Sequence, residues 1–179
     1  MKWWLCCLVA LAASAPAQEQ KNSPAEGRKE QANVALTVYL VSGLAQADPS
    51  AKDDVPQALA ETLQQLRGVF AYKSYRLIDT VTLRGRNFSG SEVAGGLPDN
   101  SHYDFKYARA RVTPDAPRLV HLDGLRLEIT RRRLNQTNTT VAFVSTDLDI
   151  KDGQKTVVGK SAVNGGDAVF LVIVAQVID

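Results

Sequence analysis

Cysteine is absent beyond Cys7, and both cysteines of the chain, Cys6 and Cys7, lie near its start. They sit in MKWWLCCLVALAASAPAQ, where Lys2 precedes an apolar run from Trp3 to Ala13 and Ala15-Pro16-Ala17 follows. That order of charged, apolar and small residues is a secretory signal peptide, expected over residues 1–17 with cleavage after Ala17. A lipidated cysteine would follow the apolar run, whereas these two lie near its beginning. The exported chain then has no disulfide, no thiolate metal site and no cysteine nucleophile. A cysteine-free exported chain suits a bacterial envelope, periplasmic or extracellular, better than a disulfide-stapled scaffold. Long apolar runs are also missing: nothing after the leader approaches the ~20 residues of a membrane-spanning helix. Nor is there an excess of one charge. At a net +2 the chain has no global attraction to nucleic acid or anionic lipid, and nucleic acid is not an expected partner.

Residues 18–32 are polar, with one proline, and read as a flexible linker. A single α+β domain is expected over residues 33–179, long enough to bury a core. VALTVYLV, Val34 to Val41, is a β-branched and aromatic strand. GLAQADPSAKDD is a loop. Asp53 or Asp54 with Pro56 then opens the one amphipathic helix. Its apolar stripe is Val55, Leu59, Leu63, Leu66 and Phe70, and Gly68 is placed to end it.

From Tyr72 onward the pattern is a mainly antiparallel β-sheet of about six further strands. Tyr72 to Arg86 is expected to put Tyr75, Leu77, Val81 and Leu83 on one face. Ser89 to Asn100 reads as a glycine-rich loop, and Ser101 to Val112 as one strand. Arg118 to Arg131 contains Asp123-Gly124, either a two-residue hairpin turn or a bulge in one long strand. Thr139 to Lys151 leads through Asp152-Gly153, a hairpin signal, to Gln154–Ala162. Asn164-Gly165 is the last turn. The final strand, DAVFLVIVAQVI, is apolar on both faces and belongs in the middle of a covered sheet.

The candidate sites are few. Asp147, Asp149, Asp152 and Gly153 resemble a calcium loop, but Lys151 stands at the third ligand position and Val158 at the twelfth, where glutamate is needed. The simpler reading makes Asp147 and Asp149 the outer side of a strand whose inner side is Thr146, Leu148 and Ile150. VVGKS is not a phosphate loop, because Gln154 replaces the upstream glycine and no helix follows. His102 and His121 are the only histidines, with no nucleophile elbow and no ligand spacing around them. His121 reads as a surface or inter-strand partner. No cofactor, metal or catalysis is expected. Arg131, Arg132 and Arg133, with Arg126, Arg111 and Arg109, form a basic region on strands, either a solvated face or a contact for an acidic partner. Tyr103, Phe105 and Tyr107 share one face, which is either core or an exposed aromatic stripe for contact with a partner.

The C-terminal third, TDLDIKDGQKTVVGK with NGGDAVFLVIVAQVID, resembles the last strands of the bacterial secretin domain. Asp152, Gly153, Gln154, Thr156, Val157, Val158 and Gly159 match that family's "DGQTVVLGG" hairpin when Lys155 is taken as an extra residue. Val169 to Ile178 matches its closing apolar strand in character. Lys160 replaces the second glycine, and Ala175-Gln176-Val177 replaces the usual Thr-Pro-Arg. The Val-Pro and Ile-Pro-x-Leu-Gly signatures of full secretins are missing. The resemblance implies a small relative or accessory of secretion or pilus machinery, acting by assembly with itself or with an envelope protein. A second expectation is a ligand-binding protein with its pocket near residues 89–100.

Overall fold

The computed structural model describes residues 32–46, 55–132, 138–163 and 165–178. The signal peptide, nearly all of the linker, Asp53, Asp54, Arg133 and Asn164 lie outside the described residues, as does the side chain of Arg132.

Alternation in β1 (Asn33–Leu44) buries Val34, Leu36, Val38 and Leu40 on one face. After a 3-10 turn (Gln57–Leu59), the helix α1 spans Ala60–Val69. Eight strands follow: β2 (Ser74–Arg86), β3 (Ser91–Gly96), β4 (Ser101–Tyr107), β5 (Arg109–Val112), β6 (Leu119–Arg132), β7 (Asn138–Lys151), β8 (Lys155–Ala162) and β9 (Ala168–Ile178). The expected α+β composition is present, but the strands form two sheets rather than one. One sheet runs β2-β1-β9-β8. In the other, β4 and β5 lie end to end along one side of β6, β7 lies along the other side, and β3 is the outer neighbour of β4. Every pairing is antiparallel.

Two strands were hidden in the sequence. Part of the expected glycine-rich loop is β3, in which Gly95 lies opposite Tyr103. A Cβ on Gly95 would sit 2.6 Å from ring atoms of Tyr103, so the glycine makes room for that ring. The expected Ser101–Val112 strand breaks at Ala108, beside Gly124.

The layers are α1, then the β1 sheet, then the β6 sheet. The main core lies between the sheets, joining Leu36, Leu171 and Ile173 to Phe105, Leu127 and Ile150. A second cluster lies under α1, where Leu59, Leu63 and Leu66 cover Val41, Phe170 and Val172. β9 therefore has both faces covered and sits inside its sheet, as its unbroken apolar pattern requires. Gly68 does not end the helix. It lies within α1, and the chain turns directly to extended backbone at Phe70 (φ −121°). That exit lays Phe70 and Tyr72 against Phe170, with ring centroids 5.1 and 5.6 Å away.

Bulges set which residues face inward. On β2, Asp79 pairs with Leu40 and Leu77 pairs with Val41, so Ile78 is extra. Tyr75 and Leu77 consequently join the cluster under α1, while Val81 and Leu83 face the main core. They do not share one face as period-two alternation predicts, because one inserted residue reverses every side chain beyond it. Asp123-Gly124 acts in the same way and resolves the turn-or-bulge question. Leu122 lies opposite Leu148 and Leu125 opposite Thr146, so two residues of β6 face Asp147 alone. Gly124 takes φ +61°, and the buried series changes from Val120 and Leu122 to Leu125, Leu127 and Ile129.

Asp152-Gly153 is a turn, with Gly153 at φ +73° and the Gln154 N–H donating to the Lys151 carbonyl at 2.9 Å. It is not a hairpin between paired strands. β7 pairs with β6, β8 pairs with β9, and the turn carries the chain from one sheet to the other. Gly153 N–H donates to the Ala175 carbonyl at 2.8 Å, and Asp152 Oδ1 accepts from Val177 N–H at 2.9 Å, docking the turn on β9. The hairpin is the next connection, β8 to β9, where Gly165 and Gly166 take φ values of 89° and 88°.

Candidate functional site

Where β1, β6 and β8 end and β2, β4, β7 and β9 begin, the sheets part and leave a cleft of about 590 Å³. Its walls are apolar. Leu44 and Ile78 come from the β1 sheet, Ile129 and Val141 from the β6 sheet, and Val163 and Val169 flank the β8–β9 turn. Ile129 continues the buried series of β6, whereas Ile78 and Val141 are the extra residues of bulges in β2 and β7, at the point where the facing strands run out.

One lip is polar and fixed. Asn100, at φ +61°, closes the β3–β4 turn, and Asp99 Oδ1 accepts from Ser101 N–H at 3.1 Å. The Arg131 guanidinium pairs with Asp99 and donates from Nε to Ser101 Oγ at 3.3 Å. Partial desolvation works to raise the Asp99 pKa, but the bonds from Ser101 and Arg131 outweigh it and hold the carboxyl below its ordinary value. On the opposite lip, Asp167 Oδ1 accepts from Ala45 N–H at 2.8 Å. Arg76 also lines the cleft and has no ion-pair partner among the described residues. The site is an apolar throat with charged groups at its rim, an arrangement suited to holding a ligand with one apolar and one polar part.

A second polar array lies on the outer face of the β6 sheet. His121 of β6 faces Asp149 of β7 directly, and Arg111 of β5 faces His121 from the other side. His121 Nδ1 lies 2.5 Å from Asp149 Oδ1, and Nε2 lies 2.7 Å from Asp123 Oδ1. Arg111 completes the row, 3.2 Å from the same Asp123 oxygen. The hydrogen bond to Asp149, above all, raises the His121 pKa; desolvation opposes it, and Asp123 reinforces it. The ring nitrogens point to opposite carboxylates, so the array is a row of ion pairs rather than a chelate. Among the described residues, no three His, Cys, Asp or Glu side chains converge to hold a metal ion.

The sequence-predicted residues separate. Tyr103, Phe105 and Tyr107 are 7, 1 and 3 % exposed and form part of the main core, so the exposed-stripe reading is corrected. Tyr103 and Phe105 lie opposite Ile129 and Leu127 of β6, at a depth that period-two alternation alone cannot assign. Among the described residues, three arginines of the basic region have different surroundings. Arg131 is at the cleft, Arg126 bonds Glu128 at 2.7 Å, and Arg111 bonds Asp123. Asp123, Gly124, Asp152, Gly153 and Gly165 are structural turns or bulges. Asp147 Oδ1 accepts from Gly124 N–H at 2.5 Å, which gives that aspartate a structural use. His121 is an inter-strand partner, bonded to Asp149 across β6 and β7. The cleft walls at Leu44, Ile129, Val163 and Val169 carry no local signal, because an apolar residue at a strand end looks like any other core position. No protein-family model, curated protein or solved structure matches the chain.

Proposed function

We propose that this is a non-enzymatic, exported binding protein of the bacterial cell envelope, with the open end of the sandwich as its binding site. The observation that carries this reading is the apolar throat of about 590 Å³ between the sheets, rimmed by the Arg131–Asp99 pair. An apolar surface that the described residues leave open between two well-packed sheets favours a ligand that removes it from water. The fixed lip supplies the few oriented polar groups that confer selectivity. The throat reaches the end of the 89–100 segment through Leu97, Pro98 and Asp99 rather than its glycines. Neither histidine lines it.

The test is a melting-temperature screen of the exported protein against single-chain amphiphiles and short apolar peptides, repeated with Val163→Arg. A ligand that raises the melting temperature of the parent but not of the variant supports the reading, because binding to the native state alone stabilises it. Ligands that act equally on both would count against the cleft.

The second reading is assembly through strand edges, with a secretin-related accessory role as its most specific form. It is favoured by β3, which pairs only with β4 among the described residues and leaves a short edge rich in small residues. β7 and β8 offer less, since Phe143 N–H of β7 already donates to Ser161 Oγ of β8 at 3.0 Å. Light scattering on the exported protein separates the readings: a concentration-independent monomer removes self-assembly.

A further inference from the structure

Phe88 is held in a conformation that bulky side chains avoid. Its φ is +66°, in the left-handed region, and the residue is 64 % exposed. Both features are costly, yet the turn that imposes them is heavily tied down. Phe88 N–H donates to the Ala110 carbonyl at 2.7 Å, and Ala110 N–H donates to the Ser89 carbonyl at 3.0 Å. Asn87 Oδ1 accepts from Val112 N–H at 3.0 Å, while Ser89 Oγ bonds Arg86 N–H and its carbonyl at 3.1 and 2.7 Å. The turn is thus a rigid mount for an apolar ring, and such strain persists only where the surroundings over-determine it.

Cationic residues adjoin the mount along the chain and across its backbone bonds. Arg84 and Arg86 lead into the turn on β2, and Arg109 adjoins Ala110, the residue to which Phe88 is bonded. All three are exposed and have no carboxylate partner among the described residues. Asp123, on the strand paired with β5, is already bonded to Arg111 and His121. Asn87 N–H also donates to the carbonyl of Ala32 at 3.1 Å, so the N-terminal segment joins the domain beside this turn.

We propose that the β2–β3 turn is a membrane-surface contact, with Phe88 entering the headgroup region of an anionic bilayer while Arg84, Arg86 and Arg109 engage lipid phosphates. Arginine matches phosphate geometry, and an aromatic ring is favoured at the membrane–water boundary. A bilayer satisfies both the charge and the exposed ring, whereas a soluble polyanion leaves the ring in water. This contact is independent of the cleft.

The test is co-sedimentation of the exported protein with vesicles of phosphatidylcholine, with and without phosphatidylglycerol. Binding is expected only with the anionic lipid, and it should weaken as salt is raised. Arg84→Glu with Arg86→Glu should weaken it about tenfold or more. Phe88→Gly should also lose binding while folding at least as well as the parent, since glycine takes this φ without strain. Phe88→Trp should show an emission shift to the blue on adding anionic vesicles. Binding that needs the arginines but survives Phe88→Gly would overturn insertion in favour of simple polyanion attraction. No binding to anionic vesicles would overturn the proposal altogether.

Discussion

His121 and Asp149 stand directly opposite one another on β6 and β7, with the imidazole Nδ1 2.5 Å from a carboxylate oxygen. The other ring nitrogen meets Asp123, so the arrangement is complete only when both nitrogens carry protons. The His121 pKa is accordingly raised, first by the bond to Asp149. A group whose pKa is higher folded than unfolded stabilises the fold fully below its unfolded pKa, about 6.5 for histidine. That stabilisation is lost as pH rises through the folded pKa. Melting temperature should therefore fall between mildly acidic and mildly alkaline pH, and His121→Gln should flatten the dependence. An NMR titration placing the His121 midpoint at or below the ordinary histidine value of about 6.5 would contradict the geometry.

Leu66 joins α1 to the β1 sheet and is 3 % exposed. Replacing it with alanine leaves a void over Phe170 and should cost about 2–4 kcal/mol. Chemical denaturation would measure this, and a change under 1 kcal/mol would mean that α1 is not seated as described.

Gly124 has two roles that can be separated. A Cβ there would lie 3.0 Å from the Ala108 Cβ, at φ +61°. Gly124→Ala should cost about 1–3 kcal/mol from strain and crowding. Deleting Gly124 is a different lesion, because it removes the bulge and leaves Leu122 and Leu125 two residues apart, still on one face opposite Leu148 and Thr146. The deletion should keep unfolding cooperative while losing the bond from Gly124 N–H to Asp147, whereas the substitution lowers the midpoint through strain.

Gly153 also takes a positive φ, but nothing lies within 4 Å of where a Cβ would be. Gly153→Ala should cost only the conformational penalty, about 1–2 kcal/mol, and Gly153→Asn less. Calcium should not change the melting temperature of the parent or of either variant.

The Arg131–Asp99 pair on the cleft lip is roughly half exposed, with side-chain exposures of 44 and 50 %. A double-mutant cycle should give a coupling below about 1 kcal/mol. The same substitutions should alter ligand selectivity in the cleft far more than they alter stability.

The amphipathic stripe of α1 and the apolar β9 were legible because each pattern extends over several turns or residues and has one physical solution. The Asp147–Asp149 side of β7 was legible for the same reason. The two additional strands were not. β3 is rich in glycine, and only the Tyr103 ring opposite Gly95 explains why a strand tolerates it there. Phe88 could have been noticed as a lone aromatic within the turn-forming run Arg86-Asn87-Phe88-Ser89-Gly90, but its exposure could not.

By itself, the sequence determined the types of the long elements, the interior position of β9 and the face covered by α1, since periodicity and apolar content act within one segment. Tertiary structure alone decided the partition into two sheets, which side chains change face, and where the sheets part to leave a cleft. Those outcomes depend on bulges and on pairings between distant segments. One inserted residue at Ile78, or the Asp123-Gly124 pair against Asp147, reverses a whole strand, and only the partner strand reveals it.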